Sequence, residues 1–189
     1  RPTFHGVPGV AGGRCVMEGS GSFGACARWP GTNTPGGAID FGVSVGRVHL
    51  RTTEALGVFD LTARVEGFLR AAGLEAGWVN VQTRHTTTGI CVNENEPLLL
   101  SDVEALLERL APRGAGYAHD ALHLRPGIPS DERPNGHSHA KALLLRTAET
   151  LNVAGGHLQL GRWQRVLLVE LDGPREREVS LLAMGERRR

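Results

Sequence analysis

Three short polar clusters carry the residue types from which a metal or phosphate site could be built. The first is His85-Thr86-Thr87-Thr88-Gly89, followed by Asn93-Glu94-Asn95-Glu96. In an extended strand His85 and Thr87 would face one way and Thr86 and Thr88 the other. The same residues also read as a threonine-rich strand running into a polar turn. The second cluster is Tyr117-Ala118-His119-Asp120. Adjacent His and Asp can supply a metal ligand, or a base with its carboxylate.

The third cluster is Asn135-Gly136-His137-Ser138-His139-Ala140-Lys141. Its H-x-H spacing puts both imidazoles on one face only in an extended segment. At a helix start they diverge by about 200°, because each residue turns about 100°. Unsatisfied N–H groups at such a start favour an anion or phosphate. Lys141 is the only lysine among the 21 Lys and Arg residues. Arginine serves as the cation everywhere else, so this position reads either as one that needs a compact ammonium or as one surviving surface lysine. Neither an H-x-x-x-H zinc signature nor a P-loop is present.

Cys15, Cys26 and Cys91 are odd in number and form no C-x-x-C pair, so they propose neither a disulfide framework nor a thiolate zinc site. A reducing, cytoplasmic setting is expected. Cys91, within Ile90-Cys91-Val92, reads as a small core residue.

The clusters need elements to position them. Residues 43–53, 78–83 and 86–92 are predicted strands, rich in β-branched residues. Between the first two, Asp60 can cap a helix carrying Leu61, Val65, Phe68 and Leu69 on one face, with Gly73 suited to its end. Ser101 and Glu104 have capping-box spacing for a second helix with Val103, Leu106, Leu107 and Leu110 on one face, and Pro112 beyond it. A third helix is predicted over 138–148. Strands follow over 157–160, 165–171 and 178–184, with Asp172-Gly173-Pro174 turning between the last two. Helices between early strands and a run of late strands predict an α+β fold: one compact domain, a largely antiparallel sheet and about three helices.

Residues 1–40 hold 10 of the 26 glycines and 4 of the 10 prolines, without a sustained apolar period. They are expected to be disordered and dispensable, with the domain over 41–186 and a basic tail over 187–189. The net charge of +1 implies no general attraction to nucleic acid or acidic membrane. No apolar run approaches the roughly 20 residues of a membrane-spanning helix.

The ordered motifs HTTTG, NENE, GYAHD, NGHSHAK, GGHLQLGRWQ and VELDGPRE resemble the YjbQ-like family, often labelled secondary thiamine-phosphate synthase. The likeness spans about residues 43–186. It implies a compact α+β fold, a homotrimer and a thiamine-phosphate synthase activity. That reaction would join a hydroxymethylpyrimidine diphosphate to a thiazole phosphate and release pyrophosphate. Carried over by position, His85, Glu94, Asp120 and Lys141 would be catalytic. Asn93, Asn135, Trp163, Gln164 and Glu170 would contact a phosphorylated small-molecule substrate, and Thr86 and Thr87, beside His85, are candidates for the same contact. His119, His137 and His139 would hold a divalent metal, although His137 matches only members with the longer N-G-H-x-H form. Carboxylates on a hydrated ion would indicate Mg²⁺, and imidazole ligation Zn²⁺. Two other readings remain at this point: a metal-dependent hydrolase or lyase for a phosphorylated small molecule, and a non-catalytic trimeric binder of one.

Overall fold

The computed structural model describes residues 40–188. The reading of residues 1–40 as disordered therefore falls, but for Asp40, outside the described residues. In chain order the elements are β1 (Phe41–Arg51), β2 (Gly57–Asp60), α1 (Thr62–Ala72), β3 (Leu74–Thr83), β4 (Thr88–Glu94), α2 (Pro97–Leu110), α3 (Gly136–Ala142), β5 (Ala148–Ala154), β6 (His157–Leu158), β7 (Gln164–Glu170) and β8 (Glu176–Arg187). Two 3-10 turns, Ala118–Asp120 and Leu122–Leu124, lie between α2 and α3.

The α+β class is as expected, but the antiparallel strands divide into two sheets. One has the order β1-β8-β3-β5-β6 and the other β2-β7-β4. Alternation along β7 shows how they pack. Val166 and Leu168 point into a core shared with Val79 and Val81 of β3 and Val179 and Leu181 of β8. Helix α1 adds Leu61, Val65, Phe68 and Leu69 to that core. The opposite face of β7 gives Val169 and Leu171 to a second cluster closed by Leu107 of α2.

Several boundaries differ from the sequence reading, each for a local reason. Helix α2 begins four residues before Ser101, because Pro97 suits a first helical position and the Glu96 carboxylate accepts from the Leu98 and Leu99 N–H groups. The Ser101 and Glu104 pair is thus interior to the helix. Asp60 does accept from Thr62 N, at 2.8 Å. Gly73 ends α1 with φ 64°, a left-handed conformation that favours glycine. Helix α3 covers only Gly136–Ala142, and the residues expected to continue it leave the axis. Arg146 bridges to Ile90 of β4, and Thr83 N donates to Thr147 O, which leads the chain into β5. Strands β2 and β5 have no counterpart in the sequence reading. Among the described residues no helix is long and apolar enough to cross a membrane.

Candidate functional site

The alternation of β7 puts Glu170 on the same face as Val166 and Leu168, so its carboxylate ends inside the sandwich, where it needs compensation. Arg177 of β8 supplies it: Nε donates to Glu170 Oε2 at 2.6 Å, and Nη2 donates to Oε1. Thr52 Oγ1 and the Leu171 and Asp172 N–H groups also donate to Glu170. Arg177 Nη2 reaches Thr87 Oγ1 at 3.0 Å. Burial pushes the Glu170 carboxyl upward, yet the Arg177 fork and the backbone donors outweigh it and hold the group below its ordinary range. His85 borders this cluster. Its Nε2 accepts from Glu178 N at 2.7 Å, so the lone pair already anchors β8. Burial, then the charge on Arg177, lower its pKa, in keeping with a neutral acceptor.

Two residues beyond Glu170, Asp172 joins the last polar motif to the third helix. Its carboxylate receives Arg133 Nε at 3.0 Å, Arg175 Nη2 at 2.8 Å and Asn135 Nδ2 at 3.0 Å. Asn135 precedes α3, whose first residue must be small. A Cβ on Gly136 would stand 2.4 Å from Tyr117 Cβ and 3.1 Å from Asp120 Oδ1. With glycine there, Gly136 N donates to Asp120 Oδ1 at 2.7 Å. The anion expected at this helix start is thus Asp120 itself.

Within α3 the two histidines part, as helical spacing requires. His137 turns toward Tyr117, with ring centres 6.5 Å apart, and its Nε2 lies 3.1 Å from Ser138 Oγ. His139 turns the other way and meets His119 edge to face, with ring centres 4.6 Å apart. Burial lowers the His139 pKa first, and His119 lowers it further. Among the described residues His119 Nε2 is buried without a hydrogen-bond partner, and so is Asn135 Oδ1. Hence the set His119, His137 and His139 reduces to a pair. Among the described residues no three His, Cys, Asp or Glu side chains stand together to hold an ion.

Other expected site residues lie elsewhere. Lys141 is 2 % exposed and donates to Glu108 Oε2 of α2 at 2.5 Å, so its ammonium ties two helices instead of facing a ligand. Asn93 and Glu94 pair with Arg165 and Gln164 at the far end of β4, and Thr88 pairs with Glu170 at the near end. Seven strand residues separate those ends by about 20 Å. There Trp163 is 58 % exposed under the Arg162 guanidinium, and Gln164 Oε1 accepts from Gly161 N. Thr86 is exposed.

Asp172, Arg133, Arg113 and Arg177 were missed by sequence reasoning. Asp172 was read only as a turn residue, and no arginine stands out in a chain with so many.

The sequence pattern of the family described as "UPF0047 protein YjbQ-like" matches residues 46–186. A UPF0047 protein of Methanothermobacter thermautotrophicus is 39% identical over 137 residues, 72% of this chain and 89% of that one. The UPF0047 protein YugU of Bacillus subtilis is 30% identical over 139 residues, 73% and 97% of the two chains. A hypothetical protein of Aeropyrum pernix superposes with a TM-score of 0.68 at 36% identity, over 76% of this chain and 99% of that one. A "YbjQ-like protein of unknown function" from Sulfolobus solfataricus gives 0.69 at 28% identity, over 77% and 99%.

These relatives correct the expected activity. They are similar in sequence or in fold, yet none brings a thiamine-phosphate synthase reaction with it, and the Sulfolobus structure is described as being of unknown function. The synthase reading is withdrawn. Its geometry is also weak in this chain, because the one lysine meant to neutralise a phosphate is buried against Glu108.

Proposed function

This chain belongs to the YjbQ-like UPF0047 family, and from that premise we propose that it binds one divalent transition metal between His119 and His139. The observation that carries the reading is the buried, unpartnered His119 Nε2 beside a second imidazole. An orphaned buried nitrogen is costly unless something takes its lone pair. Two imidazoles on one zinc-sized ion, with nitrogen–metal distances of about 2.0–2.1 Å, have ring centres roughly 4.5–5.2 Å apart, depending on the ligand angle. The observed 4.6 Å lies at the short end of that span, so the two rings would part slightly to take a tetrahedral ion. Imidazole donors favour zinc or another transition ion over Mg²⁺.

Such an ion would supply Lewis acidity, with positions left for water or a small ligand. The chain's residues would hold the two imidazoles in place. His119 is fixed by the 3-10 turn it shares with Asp120, and Asp120 is fastened to Gly136. His139 rides on α3 one turn later. Titrating the full chain with Zn²⁺, and with Co²⁺ followed by its visible absorption, should give one ion per chain. His119→Ala and His139→Ala should each weaken binding at least about 100-fold, more than losing an outer-shell partner. Equal binding by the double variant would overturn the site.

A second reading concerns assembly. On the outward face of the five-stranded sheet, Val45 lies opposite Leu182, and Met184 lies between Val43 and Trp78. Val45 is 41 % and Trp78 40 % exposed. An apolar strip of this kind supports self-association, and we take the homotrimer as the proposed state, in the cytoplasm. Sedimentation at micromolar concentration should give three times the chain mass; a monomer would remove it.

A further inference from the structure

On the His137 side of α3 lies a cleft of about 380 Å³, whose lining includes neither His119 nor His139. Arg113, Asp120, Arg133, His137 and Asp172 line it, with Ala55 adding apolar surface. Its volume is near the lower end of small-ligand pockets, which run from about 300 to 1,000 Å³. Two guanidinium groups face two carboxylates, so the lining carries no net charge.

The hydrogen bonds show which of these groups are already used. Asp172 is saturated by Arg133, Arg175 and Asn135. Arg133 is turned inward, with Nε on Asp172 Oδ1 and Nη2 on the carbonyls of Asp172 and Gly173. That pair is a wall of the cleft. Asp120 uses Oδ1 for Gly136 N, and among the described residues Oδ2 has no partner. Ser138 Oγ donates its hydrogen to Leu171 O, so it accepts from His137 Nε2–H. In that tautomer His137 Nδ1 is an acceptor. Arg113 engages Glu108 through its backbone N–H, and among the described residues its guanidinium has no partner.

The unused groups are therefore one guanidinium, one carboxylate oxygen and one imidazole acceptor. A guanidinium fork complements a carboxylate in two parallel hydrogen bonds. A carboxylate oxygen and a neutral imidazole nitrogen together accept from an ammonium group. A diphosphate would instead bring several negative charges against Asp120 and Asp172. We infer that this cleft binds a compact zwitterion of the α-amino-acid type, its carboxylate on Arg113 and its ammonium between Asp120 and His137. The inference does not rest on the metal reading.

The test is calorimetric titration of the full chain with a panel of L-α-amino acids. Each is compared with the amine that lacks the carboxylate and the acid that lacks the ammonium, and inorganic pyrophosphate is run alongside. At least one amino acid should bind, with both halves at least about tenfold weaker, the effect of losing one charge-assisted contact. Arg113→Met should reproduce the loss of the carboxylate. Asp120→Asn, which keeps an acceptor for Gly136 N, should reproduce the loss of the ammonium. Zn²⁺ titration of Arg113→Met should match the parent, which separates this cleft from the histidine pair. No binding of any amino acid at millimolar concentration, tighter binding of pyrophosphate, or full affinity in Arg113→Met would each overturn the inference.

Discussion

The Glu170–Arg177 cluster and the His119–His139 pair are neighbouring polar groups with opposite accounts of their hydrogen bonds. Glu170 is fully buried, yet both carboxylate oxygens accept from more than one donor. Thr52 and Thr87 complete the shell. His119 is less buried as a residue, but its Nε2 is enclosed and has no partner. Saturation marks the first as a structural joint between β7 and β8. The orphaned atom of the second is what the proposed metal would complete. Polarity and burial alone would rank the two the other way round.

The largest expected effect breaks the saturated cluster. Arg177→Met leaves the Glu170 charge buried and uncompensated, and should destabilise the fold by about 3–5 kcal/mol in urea titration. Adding Glu170→Gln should recover part of that loss. It removes the orphaned charge and keeps an acceptor for the Leu171 and Asp172 N–H groups, so the double-mutant cycle should show strong coupling. Simple additivity of the two changes would make the cluster less of a joint than its geometry indicates.

The histidine pair should respond in the opposite sense. His119→Ala removes an unsatisfied buried nitrogen, so stability without metal should stay within about 1 kcal/mol of the parent or rise. Metal affinity should fall by two orders of magnitude or so. A large loss of metal-free stability in thermal unfolding would mean that His119 is a packing residue.

Acid pH sharpens the comparison, because the Glu170 carboxyl is held below its ordinary value of 4.5. A depressed carboxyl stabilises the fold fully above its unfolded pKa, and the contribution is lost as pH falls through the folded pKa. Stability should therefore decline below about pH 4.5 and continue to fall toward the lower folded value. In Glu170→Gln that part of the acid limb should be shallower. Parallel limbs in the two proteins would assign the acid loss to other carboxylates.

Much of this frame was legible in the sequence. The apolar period of Leu61, Val65, Phe68 and Leu69 gave α1, β-branched residues gave β1, β3 and β4, and β7 and β8 were read in the run of late strands. Divergence of His137 and His139 followed from the pitch of a helix start. What was not legible is tertiary. Thr83 and Ile90 capture the backbone at Thr147 and Arg146 and end α3 early, which no local pattern before Ala148 announces. The single lysine looked like a ligand because it was rare, but its burial beside Glu108 depends on how α2 and α3 meet. Arg177 was one of many arginines until β8 set it opposite Glu170. The family resemblance also implied that Glu94 and Gln164 act together with His85, whereas the register of β4 against β7 puts them at the other end of the sheet.

That far end supplies the smallest expected effect. Asn93 is exposed, and among the described residues its Oδ1 accepts only from the next backbone N–H, that of Glu94. Gln164 folds back on Gly161 in the same local way. Substitutions at exposed positions without a buried partner usually change stability by less than about 0.5 kcal/mol. Asn93→Ala and Gln164→Ala, both at exposed positions, should therefore leave the unfolding midpoint nearly unchanged. Zn²⁺ affinity should also stay within about twofold, since about 20 Å of strand lies between that end and the Glu170 end. A clear loss of Zn²⁺ affinity at constant stability would show that the two ends meet. Within one chain the β4–β7 register forbids it, so they would meet across a subunit boundary. Repeating the titration over a range of protein concentrations decides the matter, because a site completed by a second chain weakens on dilution and a site within one chain does not.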